Sequence, residues 1–244
     1  MVILMRQSGS EMLFDSERWP VVGNNCYDYA FGDNEKKRIR KSEPGEHIGK
    51  PGTLFKTCGK GGNSMKNRIL ADNPTSVYSL PRRGECIPCQ KGYYKVMAFV
   101  APKNIVGETY GDFHFYKQVG SVKYQIQQKD SIAKLAKFFR VKPTVIKEAL
   151  SKVGKSRTKT NGMIDDPMAN QVATIHSSLV GKMIKFPVNL WAHKLGWGTR
   201  PLLVDAKGKT IYDPRRANRK YDFNYTTLCG AYCVRVGKAK TGNT

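Results

Sequence analysis

Long apolar runs are missing from this sequence. No stretch of its 244 residues reaches the roughly 18 consecutive apolar residues that indicate a transmembrane helix, so we expect no membrane span. The segment from Met1 to Arg6 is too short and too weakly apolar for the hydrophobic part of a signal peptide, and its basic residue follows the apolar stretch. We therefore expect no secretion signal.

Acidic residues are scarce. The chain holds 19 Asp and Glu against 42 Lys and Arg, which gives a net charge of +23. The basic excess recurs in residues 1–120, 121–189 and 190–244, so it is not confined to a tail. Such a charge favours an acidic partner, namely nucleic acid, an anionic wall polymer or an acidic protein, although it also serves solubility. No helix-turn-helix, finger or RNP-like pattern occurs, so we expect no sequence-specific recognition of nucleic acid.

Cysteine usage leaves three interpretations open. The even number of cysteines permits disulfides, free thiols are an alternative, and two close pairs resemble zinc-ligand pairs. The second pair has a longer spacing than zinc ligands usually show, so we predict no metal site. Nothing in the sequence requires a cofactor. The six cysteines are Cys26, Cys58, Cys86, Cys89, Cys229 and Cys233.

Residues 122–187 have the pattern of a separate β-α-α-β module. Val122–Gln127 alternates as a strand does, and Asp130 or Ser131 is placed to cap a helix that follows. A second helix begins near Pro143. Met183–Phe186 is predicted to form the closing strand and to be stopped by Pro187.

The Asp130-Ser131-Ile132 start and the Leu179–Pro187 end of this module resemble a LysM domain. That resemblance implies binding of a glycan that contains N-acetylglucosamine, with Asp130, Ser131, Ile132 and Leu179 as candidate contacts. Lys129 stands where the family usually has Gly, and residues 152–178 form a long insertion. The alternative is a module that only packs or binds protein.

Residues 1–121 and 188–244 are then predicted to form one discontinuous host domain, which makes the overall class α+β. Asn25 is placed to cap a helix that begins at Cys26, where the helix dipole favours a thiolate. His114 and His193 lie in segments with strand composition. Without the insert only a short connection separates these segments, so we expect adjacent strands.

A thiol, an imidazole and a second polar group form the arrangement of thiol hydrolases. Cys26 would be the nucleophile, His114 its base and His193 the group that orients His114. Asn25 or a backbone N–H would help to hold the oxyanion. The alternatives are an inert buried cysteine and histidines with structural roles.

The order Cys, His, His resembles papain-like, NlpC-type cysteine peptidases, and several motifs resemble a little-characterised set of bacterial and viral proteins. The resemblance implies a peptidase or amidase tethered by the module to a cell-wall or surface glycan. The alternative is a structural, minor capsid protein of a virion that keeps the fold and contacts acidic capsid proteins. Either function implies a virion or an extracellular surface. The motifs are Asn25–Ala30, Gly92–Val96, Asp112–Tyr116, Trp191–Lys194, Asp213–Arg219 and Cys229–Val234.

Overall fold

A computed structural model describes residues 5–34, 41–50, 57–102, 111–154 and 175–242. The protein is of the α+β class, because the described residues combine a six-stranded sheet with short helices. The chain divides into two compact units. The first comprises Met1–Met12, Ser16–Gly120 and Asn189–Thr244, and the second comprises Leu13–Asp15 and Ser121–Val188.

In its described residues the first unit has two α-helices. Helix α1 spans Cys26–Phe31 and helix α2 spans Met65–Asp72. As predicted, Asn25 caps α1: its side chain accepts hydrogen bonds from the backbone N–H groups of Tyr27 and Asp28, and the Asp28 carboxylate accepts one from Asn25 N. This reciprocal capping box fixes where α1 begins and buries its first turn.

The sheet follows the order β1-β4-β3-β6-β2, with β5 paired to β4. Strands β3 and β4 are antiparallel, and so are β3 and β6. The predicted strands at 93–100, 112–117 and 190–194 all form, apart from Lys194, which follows the end of β5. The six strands are β1 (Met12–Phe14), β2 (Val77–Ser79), β3 (Tyr93–Ala101), β4 (Asp112–Gln125), β5 (Met183–His193) and β6 (Thr227–Arg235).

The strands β3, β4 and β6 bury both of their faces within the first unit. Successive side chains of β4 point to opposite faces of the sheet, as they do in any strand. One face, here called the helix face, packs Phe113 and Phe115 against Tyr27 and Phe31 of α1. The other, here called the histidine face, carries His114 and Tyr116.

The described part of the second unit has two α-helices in the predicted order. Helix α3 spans Ile132–Phe139, with Ser131 Oγ accepting from Lys134 N at its start, and helix α4 spans Pro143–Gly154. Residues on either side of the helices meet, since Ile126 N donates to Lys182 O and Gly181 N donates to Ile126 O. Most of the 152–178 insertion lies outside the described residues.

Pro187 does not end the closing strand, and this prediction is wrong. Strand β5 continues through Pro187 to His193. Within the described residues β5 pairs with β4 and with no other strand, and an edge strand tolerates proline where the missing N–H would face away from the ladder.

Two disulfides form in the first unit. Cys58 pairs with Cys229, and Cys89 pairs with Cys233. Cys26 and Cys86 stay free. The four-thiolate zinc alternative is therefore not realised, because three of its four sulfurs are engaged in disulfide bonds.

Candidate functional site

The start of α1 places the Cys26 side chain in the core of the helix face. Cys26 is 6% exposed. Its Sγ lies 3.6 Å from the carbonyl oxygen of Phe113, the acceptor of the thiol proton. Among the described residues, the hydrogen bonds of this sulfur go to the backbone of β4 and not to a histidine.

Burial raises the pKa of the Cys26 thiol far above its ordinary value, and the nearby Asp112 carboxylate raises it further. The ammonium of Lys194 acts in the opposite direction but is a smaller influence. The sequence-based expectation of a thiolate is therefore wrong. The cost of desolvating a negative sulfur exceeds the benefit of a short helix dipole.

Cys26 and His114 lie on opposite faces of the sheet. Cys26 packs with Phe113 and Phe115 on the helix face. His114, between those two residues in β4, turns to the histidine face and lies against Tyr116 and Tyr225. The structure therefore does not join the thiol to its predicted base.

The two histidines do come together. His114 Nε2 and His193 Nδ1 are 2.8 Å apart, and His193 Nε2 lies 2.9 Å from the carbonyl oxygen of Val204. A carbonyl only accepts, so His193 carries its proton on Nε2 and accepts at Nδ1. His114 Nε2–H is then the donor between the rings. This chain of hydrogen bonds fixes one tautomer for each histidine.

The histidine pair is buried and uncharged. His114 is 1% exposed and His193 is 0% exposed. Burial lowers the pKa of His114 well below its usual range, and the neighbouring His193 lowers it further. Burial also lowers the pKa of His193, to about 4, although its bond to Val204 opposes the shift. Near neutral pH both rings are therefore neutral imidazoles, each with a single N–H.

Residues of the 213–225 region complete the surroundings of the pair. Tyr221 Oη lies 3.3 Å from His193 Nε2, and Tyr225 Oη donates to the Asp112 carboxylate at 2.6 Å. Sequence analysis missed both tyrosines. The Asp213–Arg219 motif directly before them was the available signal, since it marked this region without indicating which strand it would cover.

Lys194 supports the start of α1. It is 0% exposed, and its Nζ donates to the carbonyl oxygens of Asn24 at 2.7 Å, Val21 at 3.3 Å and Gly196. Asn25, the predicted oxyanion helper, is occupied as well, because its Nδ2 donates to Ser42 O at 2.6 Å. Both side chains hold the backbone around Cys26.

The candidate glycan contacts of the second unit fall into two groups. Asp130 and Ser131 are used within the unit: the Asp130 carboxylate accepts from Tyr124 Oη and Gln127 N, both at 2.8 Å, and Ser131 caps α3. Ile132 and Leu179 are partly exposed. Ser131 is partly exposed as well, whereas Asp130 is buried.

No group of three or more His, Cys, Asp or Glu with metal-binding geometry occurs in the described ranges. In the same residues no helix has the length and apolar character needed to cross a membrane. Comparison of the chain with protein-family models, with curated proteins and with solved structures finds no match.

Proposed function

We propose that this protein is a non-catalytic structural protein of a virus particle that keeps a papain-like fold for assembly and carries a LysM-like module for glycan binding. The observation that carries the proposal is that Cys26 packs with Phe113 and Phe115 on one face of β4, whereas His114 packs with Tyr116 on the other. A general base must reach the proton that it removes, at roughly 2.6–3.2 Å or through one water. Here the Cys26 thiol donates to a carbonyl.

The protonation states support the same conclusion. A thiol hydrolase needs a thiolate, or a base that creates one. The Cys26 thiol is held in its protonated form by burial, and it donates to the carbonyl oxygen of Phe113. The thiol is satisfied where it lies, as expected for a core residue.

The two disulfides favour an oxidising environment. Disulfides persist in secreted proteins and on the surfaces of cells and virions, and they are rare in reducing compartments. The bonds Cys58–Cys229 and Cys89–Cys233 join residues 171 and 144 positions apart. Bonds that close such long loops stabilise a fold by about 2–4 kcal/mol each, which suits a particle exposed to the outside.

The charge supports a partner of opposite sign. The second unit exposes Lys134, Lys137 and Lys147 on its helices, and Glu148 is its only exposed acidic residue within the described ranges. Such a surface attracts an acidic capsid or other virion protein, and this attraction weakens as salt screens it.

A glycan that contains N-acetylglucosamine is the proposed ligand of the LysM-like module. The hydrogen bonds of Ile126 with Gly181 and Lys182 bring the two sequence-predicted junctions together. Ile132 and Leu179 would then pack on the apolar face of a sugar ring, while Asp130 and Ser131 hold the loop beneath it.

Hydrolysis of wall material tests the absence of catalysis. Purified chain and its Cys26→Ala variant are each incubated with peptidoglycan and with chitin, and soluble products are measured. We expect no release above buffer from either protein. Release by the wild type that disappears in Cys26→Ala would overturn the proposal. Labelling by iodoacetamide gives a second measurement: Cys86 should react and Cys26 should stay unmodified until the chain unfolds.

A papain-like peptidase or amidase is the second candidate, and one observation favours it. The bond between His114 and His193 has the orientation predicted for a base and the residue that orients it. This function requires Cys26 to reach the histidine face during turnover. The same hydrolysis assay separates the two candidates.

Glycan binding is tested with the full chain on chitin beads at high salt, where attraction by charge is screened. We expect wild type to be retained and Leu179→Asp to be lost. The matched control is Phe138→Asp, a substitution at an apolar residue 37% exposed near the far end of α3. Equal retention of all three proteins would contradict a site at Leu179.

A further inference from the structure

Cys86 is a free, partly exposed thiol that lies next to a disulfide in the sequence. It precedes Cys89 by a two-residue gap, Ile87-Pro88, and Cys89 is bonded to Cys233. A free thiol at that spacing from a bonded cysteine has the arrangement in which disulfides are exchanged. The other free thiol of the chain, Cys26, is in the core of the helix face, with no such neighbour.

The fold places Cys86, Cys89 and Cys233 near Lys95 of the histidine face. Lys95 of β3 is directly opposite Cys233 of β6, and residues opposite each other in a ladder share a face. Lys95 Nζ donates to the carbonyl oxygen of Glu85 at 2.7 Å, which ties the residue before Cys86 to the same position. The Cys86 segment is thus fastened beside the strand that carries Cys233.

An arginine is fixed next to the free sulfur. Arg215 Nη2 lies 3.9 Å from Cys86 Sγ. Two carboxylates hold that guanidinium: Asp213 accepts from Nε at 3.0 Å and from Nη2 at 2.9 Å, and Glu85 accepts from Nη1 at 3.3 Å. A positioned cation stabilises the negative charge that a sulfur carries when it attacks a disulfide.

We propose that Cys86, Cys89 and Cys233 form a thiol–disulfide exchange site. Cys86 loses its proton to solvent, and its Sγ attacks Cys89 Sγ. The Cys86–Cys89 bond forms as the Cys89–Cys233 bond breaks, and the departing Cys233 thiolate takes up one proton. The number of thiols and disulfides is unchanged, so the step needs no oxidant or reductant.

The exchange makes the disulfide more accessible to dissolved thiols. Cys89 is 7% exposed and Cys233 is 0% exposed, so a dissolved thiol has poor access to their bond. Exchange moves the bond to the Cys86–Cys89 segment, where Ile87 is 48% exposed. The external substrate of the site is then a small dithiol, which reduces the transferred bond. The Cys58–Cys229 bond has no such route and needs none, because both of its cysteines are partly exposed.

The test is the rate at which each disulfide of the full chain is reduced by dithiothreitol. Samples are quenched with acid, alkylated, and mapped by mass spectrometry under non-reducing conditions. In Cys86→Ser and Cys86→Ala we expect reduction of Cys89–Cys233 to become several-fold slower than in wild type, since direct attack is all that remains. The Cys58–Cys229 rate should not change and serves as the internal control. Equal Cys89–Cys233 rates in wild type and both variants would overturn the proposal.

The role of Arg215 is tested in the same assay. Arg215→Gln removes the cation beside the sulfur and should slow reduction of Cys89–Cys233, but less than removal of Cys86 does. Arg216→Gln is the matched control, because Arg216 is the exposed neighbour, and it should leave the rate unchanged. An Arg215→Gln rate equal to that of wild type would show that the guanidinium does not assist the exchange.

Discussion

The two faces of strands β3, β4 and β6 are built from alternate residues of the same strands, yet they bury different chemistry. The helix face is mainly aromatic and aliphatic and takes up the Cys26 thiol. The histidine face buries imidazole rings, phenol groups and the Arg219 guanidinium, which lies over the Phe99 ring. The Cys26 thiol of α1 and the His114 ring of β4 thus lie on different sides of the sheet.

The face on which each residue of β4 lies follows from the register of this strand. A shift of one residue in the pairing of a strand moves all of its side chains to the other face. Here Phe99 pairs with His114, which fixes His114 on the face away from α1. This register keeps the His114 ring on the face opposite to the Cys26 thiol.

Removal of a large side chain from the helix face should have the largest effect. Phe115 is 0% exposed and packs on Tyr27, Phe31 and Phe113. We expect Phe115→Ala to lower the free energy of unfolding by about 3–5 kcal/mol, through lost burial and the cavity left behind. Urea denaturation with intact disulfides measures this.

Val236→Ala is the control for that substitution, because Val236 is 41% exposed. It should change the free energy of unfolding by less than about 1 kcal/mol. A Phe115→Ala loss as small as the control's would mean that the helix face is not a close-packed core.

The local elements of the first unit are largely predictable from the sequence. The asparagine cap at Asn25 and the pairing of His114 with His193 both follow from local signals, namely capping chemistry and the short connection left without the insert. No local signal of this kind tells on which face of the sheet each side chain of β4 lies. Phe113, His114, Phe115 and Tyr116 are all large and mostly aromatic, so β4 lacks the alternation that tells one face from the other.

The disulfide pairing and the end of β5 could not be predicted from the sequence, because both depend on contacts between distant residues. Six cysteines allow many pairings, and spacing alone does not select Cys58–Cys229 and Cys89–Cys233. Pro187 stops a central strand but not an edge strand, and its position in the sheet depends on contacts far away in sequence.

The histidine face should make stability depend on pH. The pKa of His193 is lowered to about 4 in the fold, whereas an unfolded histidine titrates near 6.5. The unfolded chain therefore binds the proton more tightly. The stability linked to this group is complete above about pH 6.5 and is lost as the pH falls toward 4, by on the order of 3 kcal/mol.

Urea denaturation between pH 7.5 and 4 checks this dependence. We expect a flatter pH profile for His193→Gln than for wild type, whereas His176→Gln should keep the wild-type profile because His176 is exposed. Parallel profiles for wild type and His193→Gln would contradict the assignment of a buried, neutral ring.

Lys194 directly follows His193 of the histidine face, yet its ammonium supports the start of α1. Lys194→Met should leave carbonyl oxygens of Asn24 and Val21 without their donor, at a cost of about 1–3 kcal/mol in the free energy of unfolding. Lys185→Met, at an exposed lysine, is the control. If the two variants were equally stable, the ammonium would not be what holds the start of α1.

The smallest difference in the free energy of unfolding is expected between the removal of one phenol hydroxyl and the removal of another. Tyr27 carries one on the helix face, and Tyr225 carries the other on the histidine face. Tyr27 Oη donates to Asp72, whose carboxylate also accepts from Gly45 N and Ile48 N. Tyr225 Oη donates to Asp112, a carboxylate whose pKa is raised by burial.

Removal of a donor to a charged group costs about 1.5–3 kcal/mol. Because Asp72 keeps two other donors, whereas Asp112 keeps the backbone N–H of Phe113, Tyr225→Phe should destabilise the chain by about 1 kcal/mol more than Tyr27→Phe does. Urea denaturation at pH 7 compares the two, and a larger loss for Tyr27→Phe would mean that the helix face, not the histidine face, depends more on its polar contacts.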